Sequence, residues 1–333
     1  MINGYKWAAI VRVKSLLALL PTFFLLVSFS ASSYAQSSRN QLIYSSSWES
    51  PLYSDHSLVG KIWDSRAEAF IEVDAMISSI DASSFLLLGE KHDNPDHHRL
   101  QLAVLNNLIA KNRVSNVAFE MLDSTSQPLL DEIHKEPIST MAELETYLNW
   151  DEGGWDWAFY GPLLNASYMA GLPMTAANIS EDAMRRVYGE PLLAEISTVL
   201  NEDTMNRLNA DIDESHCGLL PESQFPAMVR VQQARDDSMA ASMIRPTAGM
   251  LSILVAGNYH IRQDLGVPNY LLAKNPRIER EKIVSLSFME VGQELMEPQE
   301  YLQAFGEQRA FDFIWFTPAI SDEDYCASLR QGQ

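Results

Sequence analysis

The segment FLLLGEKHDNPDHH, residues 85–98, decides the fold class. Its first four residues form a continuous apolar run, which is typical of a strand buried on both faces. Gly89 allows a tight exit from that strand. Asn94 and Pro95 then predict the start of a helix, because asparagine caps helices and proline tolerates the first helical position. A buried strand followed at once by a capped helix is typical of an α/β fold.

The alternation of strand and helix continues along the chain. Leu100, Val104 and Leu108 form an apolar stripe on the helix that follows the first strand. Further short apolar runs stand at residues 114–119, 174–177, 251–256, 283–288 and 311–316. We therefore expect a mostly parallel sheet flanked by helices, with right-handed crossovers.

The sequence predicts four parts for the chain. Residues 1–35 are interpreted as a signal peptide and residues 36–60 as a loosely ordered lead-in. Residues 61–320 are predicted to form the α/β domain, and residues 321–333 a C-terminal tail. Within the domain, residues at about 181–244 have helical periodicity without a convincing strand. They are expected to form a smaller helical lid subdomain, or else ordinary helical packing on an enlarged core.

The predicted leader has the three regions of a secretory signal. A basic segment ends at Lys14, an apolar stretch of about 14 residues follows, and Ser33 and Ala35 precede the cleavage point. The apolar stretch is shorter than the ~20 residues of a membrane-spanning helix, and an uncleaved anchor is the alternative. No cysteine stands directly after the apolar stretch, where a lipoprotein would carry its lipid, which argues against a lipoprotein. We expect a periplasmic protein.

Charge and cysteine content narrow the function. The chain has 44 acidic and 24 basic residues, a net charge of −20, and removal of the leader with its three basic residues would leave −23. A surface this acidic disfavours binding to nucleic acid and to anionic membranes. The two cysteines, Cys217 and Cys326, match no metal or redox motif. An oxidising compartment would permit them to pair, but the sequence does not show whether they are close.

Residues with reactive side chains follow the predicted strands. Glu90 and His92 follow Gly89, His260 follows Gly257 at the same spacing, and Glu120 ends an intervening strand. Because parallel strands bring their carboxyl ends to one edge, we expect the two histidines and two glutamates to converge there. The set suits a divalent transition metal, or general acid–base chemistry without one. Capping of nearby backbone groups is the alternative.

Other sequence features are less decisive. His97 and His98 fall in the first turn of the predicted helix and are interpreted as part of a solvated face. The chain has no nucleophile elbow, Walker loop or dinucleotide fingerprint, so serine hydrolase, nucleotide-binding and dehydrogenase functions are disfavoured.

The segment WDEGGWDWAFYGP, residues 150–162, is unusually aromatic. Such density predicts a wall against a flat apolar ligand or a protein partner, with a core-packing helix as the alternative. Tyr160 ends the cluster, and tyrosine is one of the axial ligands of ferric haem.

Several of these segments resemble the signature of the ChaN-like haem-binding family. They are LLGEKHDNPDHHR at 87–99, FEML at 119–122, GWDWAFY at 154–160, LPMTAAN at 172–178, QARD at 233–236 and VAGNYHIRQD at 255–264. The resemblance runs in order from about residue 60 to Pro318. It also extends to the wider superfamily of Tiki, TraB and erythromycin-esterase proteins.

The resemblance implies an exported bacterial protein linked to haem and iron acquisition, with an α/β core and a smaller helical subdomain. It further implies a homodimer that forms on haem binding, with each iron bound through a tyrosine, and an outer-membrane haem receptor system as a partner. Tyr160 is the first candidate ligand, and Tyr168 and Tyr259 are alternatives. Trp157 would give apolar contact, and Arg99 or Arg262 would pair with the propionates.

The wider superfamily implies a second function. There the G-x-x-H histidines and the strand-end glutamate are understood to form a metal-dependent hydrolytic site, and Glu90, His92, Glu120 and His260 match that pattern. The alternative hypothesis is therefore a divalent-metal hydrolase in which a metal-activated water is the nucleophile.

Overall fold

One eight-stranded sheet runs through the computed structural model, which describes residues 48–244, 247–306, 308–324 and 326–327. Its strands are β1 (Ile62–Asp64), β2 (Ala69–Ile71), β3 (Phe85–Glu90), β4 (Val114–Asp123), β5 (Met174–Asn178), β6 (Leu251–Gly257), β7 (Ile283–Glu290) and β8 (Phe313–Thr317). The spatial order is β2-β1-β8-β7-β3-β6-β4-β5. Strands β3 to β8 pair in parallel, and β1 is antiparallel to both β8 and β2.

Eleven α-helices surround the sheet in the described part of the chain. They are α1 (Val73–Asp81), α2 (Pro95–Ala110), α3 (Gln127–Glu132), α4 (Met141–Leu148), α5 (Trp157–Met169), α6 (Glu181–Gly189), α7 (Ala194–Ser197), α8 (Glu202–Ser215), α9 (Phe225–Met243), α10 (Val267–Lys274) and α11 (Pro298–Gln303). Helices α6 to α9 fill the stretch for which the sequence predicted helices without a strand. The predicted leader lies outside the described residues.

The α/β class predicted from the sequence is confirmed, since five of the six apolar runs lie within strands of the sheet and the sixth, at 311–316, overlaps β8 from Phe313 onward. Strand β3 shows why the runs are continuous rather than alternating. Leu86 and Leu88 belong to the hydrophobic cluster on one side of the sheet, while Phe85 and Leu87 belong to the cluster on the other. Successive side chains of a strand point to opposite faces, so a sheet covered on both faces needs apolar residues at every position.

The hairpin of β1 and β2 was not predicted from the sequence. Each strand has only three residues, and two of those in β2 are exposed. Three residues are too few to show the alternation of apolar and polar side chains that predicts a strand.

Asn94 fixes the start of α2, as the cap prediction required. Its Oδ1 accepts hydrogen bonds from the backbone N–H groups of Asp96 (2.9 Å) and His97 (3.3 Å). The same side chain is fully buried and also reaches other parts of the chain. Its Nδ2 donates to Glu290 Oε1 (2.8 Å) and the Pro318 carbonyl (3.1 Å). The cap therefore ties α2 to the end of β7 and to the segment after β8.

Cys217 and Cys326 form a disulfide, with their Cα atoms 5.2 Å apart. The bond joins the segment after β8 to the turn that follows α8. Proximity of two residues so distant in sequence depends on the tertiary fold, which is why the sequence permitted the pairing without showing it.

Within the described residues, none of the helices has the length and apolar character needed to cross a membrane.

Replacement of Asn94 by alanine tests how much the buried cap contributes. We expect Asn94→Ala to lower the free energy of unfolding by about 3 kcal/mol, because a helix cap is lost and buried partners are left unsatisfied. Asn201→Ala is the matched control, since Asn201 caps α8 through one exposed bond to the Thr204 N–H and should cost about 1 kcal/mol. Urea unfolding measures both values, and equal losses would contradict the structural role of Asn94.

Candidate functional site

The four predicted strand-end residues lie together at the carboxyl edge of the sheet. Glu90 ends β3, Glu120 lies in β4, and β6 stands between these two strands. His92 Nδ1 lies 2.6 Å from Glu90 Oε1, and His260 Nε2 lies 3.2 Å from Glu120 Oε1. All four side chains line one cavity. The structure thus brings together the set that the strand positions predicted.

Both G-x-x-H glycines are required by close packing. A Cβ on Gly257 would lie 2.9 Å from His92 Cε1, so the glycine lets this imidazole rest against the end of β6. A Cβ on Gly89 would lie 2.4 Å from Asn258 Oδ1 and from Ile261 Cδ1. The sequence had suggested a tight turn as the reason for glycine. The structure shows instead that each glycine makes room for the opposite loop.

A buried carboxylate–imidazole–carboxylate triad crosses the edge of the sheet. Asp236 of α9 completes it, with Oδ1 2.6 Å from His260 Nδ1, while Glu120 Oε2 accepts the Gly257 N–H at 2.7 Å. Burial alone would lower the pKa of His260, but the carboxylates of Glu120 and Asp236 outweigh it and raise that pKa to about 10. Burial alone would raise the pKa of Glu120, but His260 outweighs it and lowers that pKa to about 2. The triad therefore holds an imidazolium between two carboxylates at neutral pH.

Asp236 was not identified as a site residue from the sequence. A usable signal exists, because Gln232, Arg235 and Asp236 stand at i, i+3 and i+4 and share one helix face. That spacing becomes informative only once α9 is known to lie across the strand ends. The Gln232 amide supports the triad by donating to Asp236 Oδ2 at 3.4 Å.

A second network joins Glu90, His92 and Tyr160. The Tyr160 hydroxyl donates to Glu90 Oε1 at 3.1 Å and lies 3.3 Å from His92 Nδ1. Tyr160 is only 1% exposed. Burial, followed by the adjacent Glu90 carboxylate, raises the pKa of this phenol far above its ordinary value. Tyr160 therefore acts in this structure as a neutral hydrogen-bond donor to the edge of the sheet.

The divalent-metal site predicted at Glu90, His92, Glu120 and His260 is not supported. Among the described residues, no group of three or more His, Cys, Asp or Glu side chains is arranged to hold a metal ion. The reason lies in the pairing of the donor atoms. Both ring nitrogens of His260 are engaged by carboxylates, whereas at His92 only Nδ1 is engaged, by Glu90. The described residues therefore give no support to the divalent metal of the alternative hypothesis.

His97 and His98 do not form a solvated face, and that interpretation was wrong. They are 0% and 3% exposed. His97 Nδ1 accepts the Lys91 N–H at 2.9 Å and its Nε2 lies 2.8 Å from Thr317 Oγ1, whereas His98 Nε2 lies 3.0 Å from the His92 carbonyl. Burial lowers the pKa of both imidazoles. The loop before α2 folds back over this first turn, which helical periodicity alone does not reveal.

Two adjoining cavities lie over the site. One, of about 610 Å³, covers the strand-end cluster and has an apolar wall that includes Phe288, Leu295, Tyr301 and Phe305. The other, of about 670 Å³, lies among α6, α8 and α9 and is lined by side chains that include Met184, Ile212, Met228 and Val231. Tyr259 and Arg235 line both cavities and therefore stand where they meet. Both volumes fall in the range of small-molecule and cofactor sites.

Tyr259 is the one predicted cofactor-binding residue that lines these two cavities in the described structure. Its side chain is half-buried, and its hydroxyl donates to Asp211 Oδ2 at 3.1 Å. The Arg262 guanidinium lies 5.3 Å from the centre of the Tyr259 ring. Arg262 is itself ion-paired, with Asp264 and with Asp211.

The other predicted cofactor-binding residues are engaged elsewhere in the fold. Trp157 is buried in the core, and the Tyr168 hydroxyl donates to the Glu136 carbonyl at 2.8 Å. Arg99 pairs with Asp96 at 2.7 Å. Each of these three side chains therefore already has a partner within the protein and needs no ligand to explain its position.

A family model and a solved structure both relate this chain to the same family of proteins. The family model described as "Haem-binding uptake, Tiki superfamily, ChaN" matches residues 76–271. The solved structure "Cofacial heme binding to ChaN of Campylobacter jejuni" is 27% identical, with a TM-score of 0.63, and the match covers 79% of this chain and 98% of that one. No curated protein matches this sequence.

Two further solved structures are more distant. A mutant of the erythromycin esterase EreC in its open conformation is 12% identical, with a TM-score of 0.44, and the match covers 76% of this chain and 95% of that one. The toxin effector domain RRSP of Vibrio vulnificus is 16% identical, with a TM-score of 0.41, over 78% of this chain and 46% of that one. Structural similarity at these TM-scores gives no information about function.

The raised pKa of His260 predicts how stability depends on pH. Its ordinary pKa is 6.5, so the stabilisation from the charged triad is fully present below about pH 6.5 and is lost as the pH rises through about 10. Urea unfolding of the wild-type protein and His260→Gln at several pH values measures this. The advantage of the wild type should shrink with rising pH, by at most about 1.4 kcal/mol per pH unit. An advantage that stays constant from pH 6.5 to 10 would contradict a protonated His260.

Proposed function

The chain belongs to the ChaN family of haem-binding uptake proteins, and from that membership we propose that it is an exported protein that binds haem during haem and iron acquisition. The observation that carries the proposal is the apolar cavity of about 670 Å³ with Tyr259 and Arg235 in its wall. Haem is a flat apolar ring with an iron centre and two carboxylates. An apolar cavity with a phenol oxygen and a guanidinium group offers a partner for each of these parts.

We further propose that Tyr259 is the iron ligand. An axial ligand must present its oxygen to the space that holds the ring, and Tyr259 lines both cavities. Asp211 accepts the hydrogen bond of the phenol and so fixes the position of its oxygen. Burial raises the pKa of the Tyr259 phenol in the free protein, and Asp211 and the neighbouring Arg262 cation modulate it in opposite directions. Tyr160, the first candidate from the sequence, is enclosed and donates to Glu90 instead.

The proposal extends to a homodimer that forms on haem binding. Exposed apolar side chains stand on the segments that flank the cavity, at Tyr188, Leu193 and Leu219. Exposed apolar surface next to a ligand cavity is typical of an interaction site. The related Campylobacter jejuni structure is described as binding haem cofacially, an arrangement in which two rings face each other.

Export to the periplasm is the proposed location. It rests on the predicted leader, which lies outside the described residues, and on the disulfide between Cys217 and Cys326. Disulfides persist in oxidising compartments and are rare in the cytosol. An outer-membrane haem receptor system would then be the source of the haem that this protein receives.

Titration of the mature chain, residues 36–333, with ferric haem tests binding and ligand together. The wild type should give a saturable shift of the Soret band and a high-spin ferric tyrosinate spectrum. Tyr259→Phe should lose that spectrum and at least about tenfold in affinity, or about 1.4 kcal/mol. Tyr168→Phe is the matched control and should behave as the wild type.

Two results of this titration would count against the proposal. Loss of the tyrosinate spectrum in Tyr160→Phe but not in Tyr259→Phe would keep haem binding and return the ligand to Tyr160. A wild-type protein that leaves the Soret band unshifted would overturn the haem-binding function itself.

Sedimentation velocity tests the dimer separately. The mature chain should sediment as a monomer without haem and with twice that mass once one equivalent of haem is bound. A Leu193→Glu substitution should weaken the dimer, because it places a charge on the exposed apolar surface without altering the cavity wall. Identical mass with and without haem would contradict haem-linked dimerisation.

A further inference from the structure

The role proposed for Tyr259 as iron ligand does not account for the position of Arg235. This residue directly precedes Asp236 in α9, and Gln232 stands about one turn before both, so Arg235 lies beside the face that the triad holds against the strand ends. Besides the two apolar cavities, Arg235 lines a third, more polar cavity of about 370 Å³ that also includes Glu120, Trp150 and Asn178. The guanidinium therefore lies at the junction of three cavities.

The charge of Arg235 has no counter-ion in the described part of the chain. No carboxylate oxygen of those residues lies within 4.0 Å of its nitrogens, although acidic residues outnumber basic ones by 44 to 24. Its Nε is buried without a hydrogen-bond partner, and its Nη2 lies 3.9 Å from Met184 Sδ, which is a weak acceptor. Buried donors are rarely left unsatisfied in folded proteins, so this one calls for an explanation.

Other arginines near the site differ from Arg235 because each of them pairs with a carboxylate. Arg262 pairs with Asp264 and Asp211, and Arg99 pairs with Asp96. Arg185 lines the same apolar cavity as Arg235, but it is exposed and pairs with Glu181 at 2.6 Å. Arg235 is thus set apart from them by its free guanidinium, not simply by its place beside a cavity.

An acidic group that lines two of the same cavities, Glu120, does not pair with Arg235. Its Oε1 lies 3.2 Å from His260 Nε2 and its Oε2 accepts the Gly257 N–H, so both oxygens are engaged. The N–H groups of the Arg235 guanidinium therefore remain available to a ligand. A guanidinium presents parallel N–H groups that match the two oxygens of a carboxylate.

We propose that Arg235 binds a carboxylate of the ligand and so selects ligands that carry a free acid group beside an apolar ring. For haem, that group is a propionate. The inference rests on the proposed haem function and deepens it, because it states which end of the ligand points to the strand-end cluster. It assigns the propionate contact to Arg235, whereas the sequence had suggested Arg99 or Arg262.

Comparison of ferric haem with its dimethyl ester tests this assignment, because the ester lacks the acid groups but keeps the ring and the iron. The wild-type mature chain should bind haem at least about tenfold more tightly than the ester. Arg235→Gln should weaken haem binding to the level of the ester and leave ester binding nearly unchanged. Arg186→Gln is the matched control, since Arg186 is exposed and lines none of the three cavities, and it should keep the wild-type preference.

A second readout separates ligand recognition from a structural role. Because Arg235 lacks an internal counter-ion, the haem-free Arg235→Gln protein should unfold at the same or a higher urea concentration than the wild type. Arg235→Lys keeps the charge and should retain part of the preference for haem over the ester. Destabilised haem-free variants with an unchanged preference would overturn the inference.

The outcomes also distinguish this inference from the function on which it rests. A wild-type protein that binds haem and the ester equally would overturn the role of Arg235 and leave haem binding intact. A wild-type protein that binds neither would overturn both.

Discussion

The buried triad of Glu120, His260 and Asp236 is the interaction on which the rest of the site depends. It joins β4, the loop after β6 and α9, three elements that are distant in sequence. Buried charged groups need a partner of opposite charge, and His260 is the shared partner of both carboxylates, so its loss would leave two buried carboxylates without a counter-charge. Through this constraint α9 lies across the carboxyl edge of the sheet. Arg235 and Tyr259 are placed by their neighbours in the triad, Asp236 and His260.

A cluster of aromatic residues packs against the same carboxyl edge of the sheet. The sequence suggested that residues 150–160 form a wall against a ligand, and the structure shows what most of them contact. Trp155 meets His92 edge to face with ring centres 4.9 Å apart, and Phe159 stacks on His98 at 4.7 Å. Trp150 also lies against Tyr160. The cluster therefore packs against His92 and His98, whereas the cavity of about 670 Å³ is lined by side chains of α6, α8 and α9.

Sequence reasoning succeeded where the determinant is local. The apolar runs predicted the strands, and Asn94 with Pro95 predicted the start of α2. The common edge of parallel strands predicted that the two histidines and two glutamates would lie together, and all four line one cavity. It failed where the answer depends on how distant elements dock. The burial of His97, the role of Asp236 and the free guanidinium of Arg235 each follow from a contact that no spacing within one element encodes. The metal site failed for a related reason, because residue types that could bind metal are instead paired with each other.

The position of iron in crystals of the haem-loaded mature chain tests the central claim most directly, through the anomalous scattering of the metal. The account predicts a single strong iron peak per protomer at bonding distance from the Tyr259 phenol oxygen, with a propionate on the Arg235 guanidinium. Iron bonded to Tyr160 or Tyr168, or a ring bound outside the two cavities that meet at Tyr259, would contradict it.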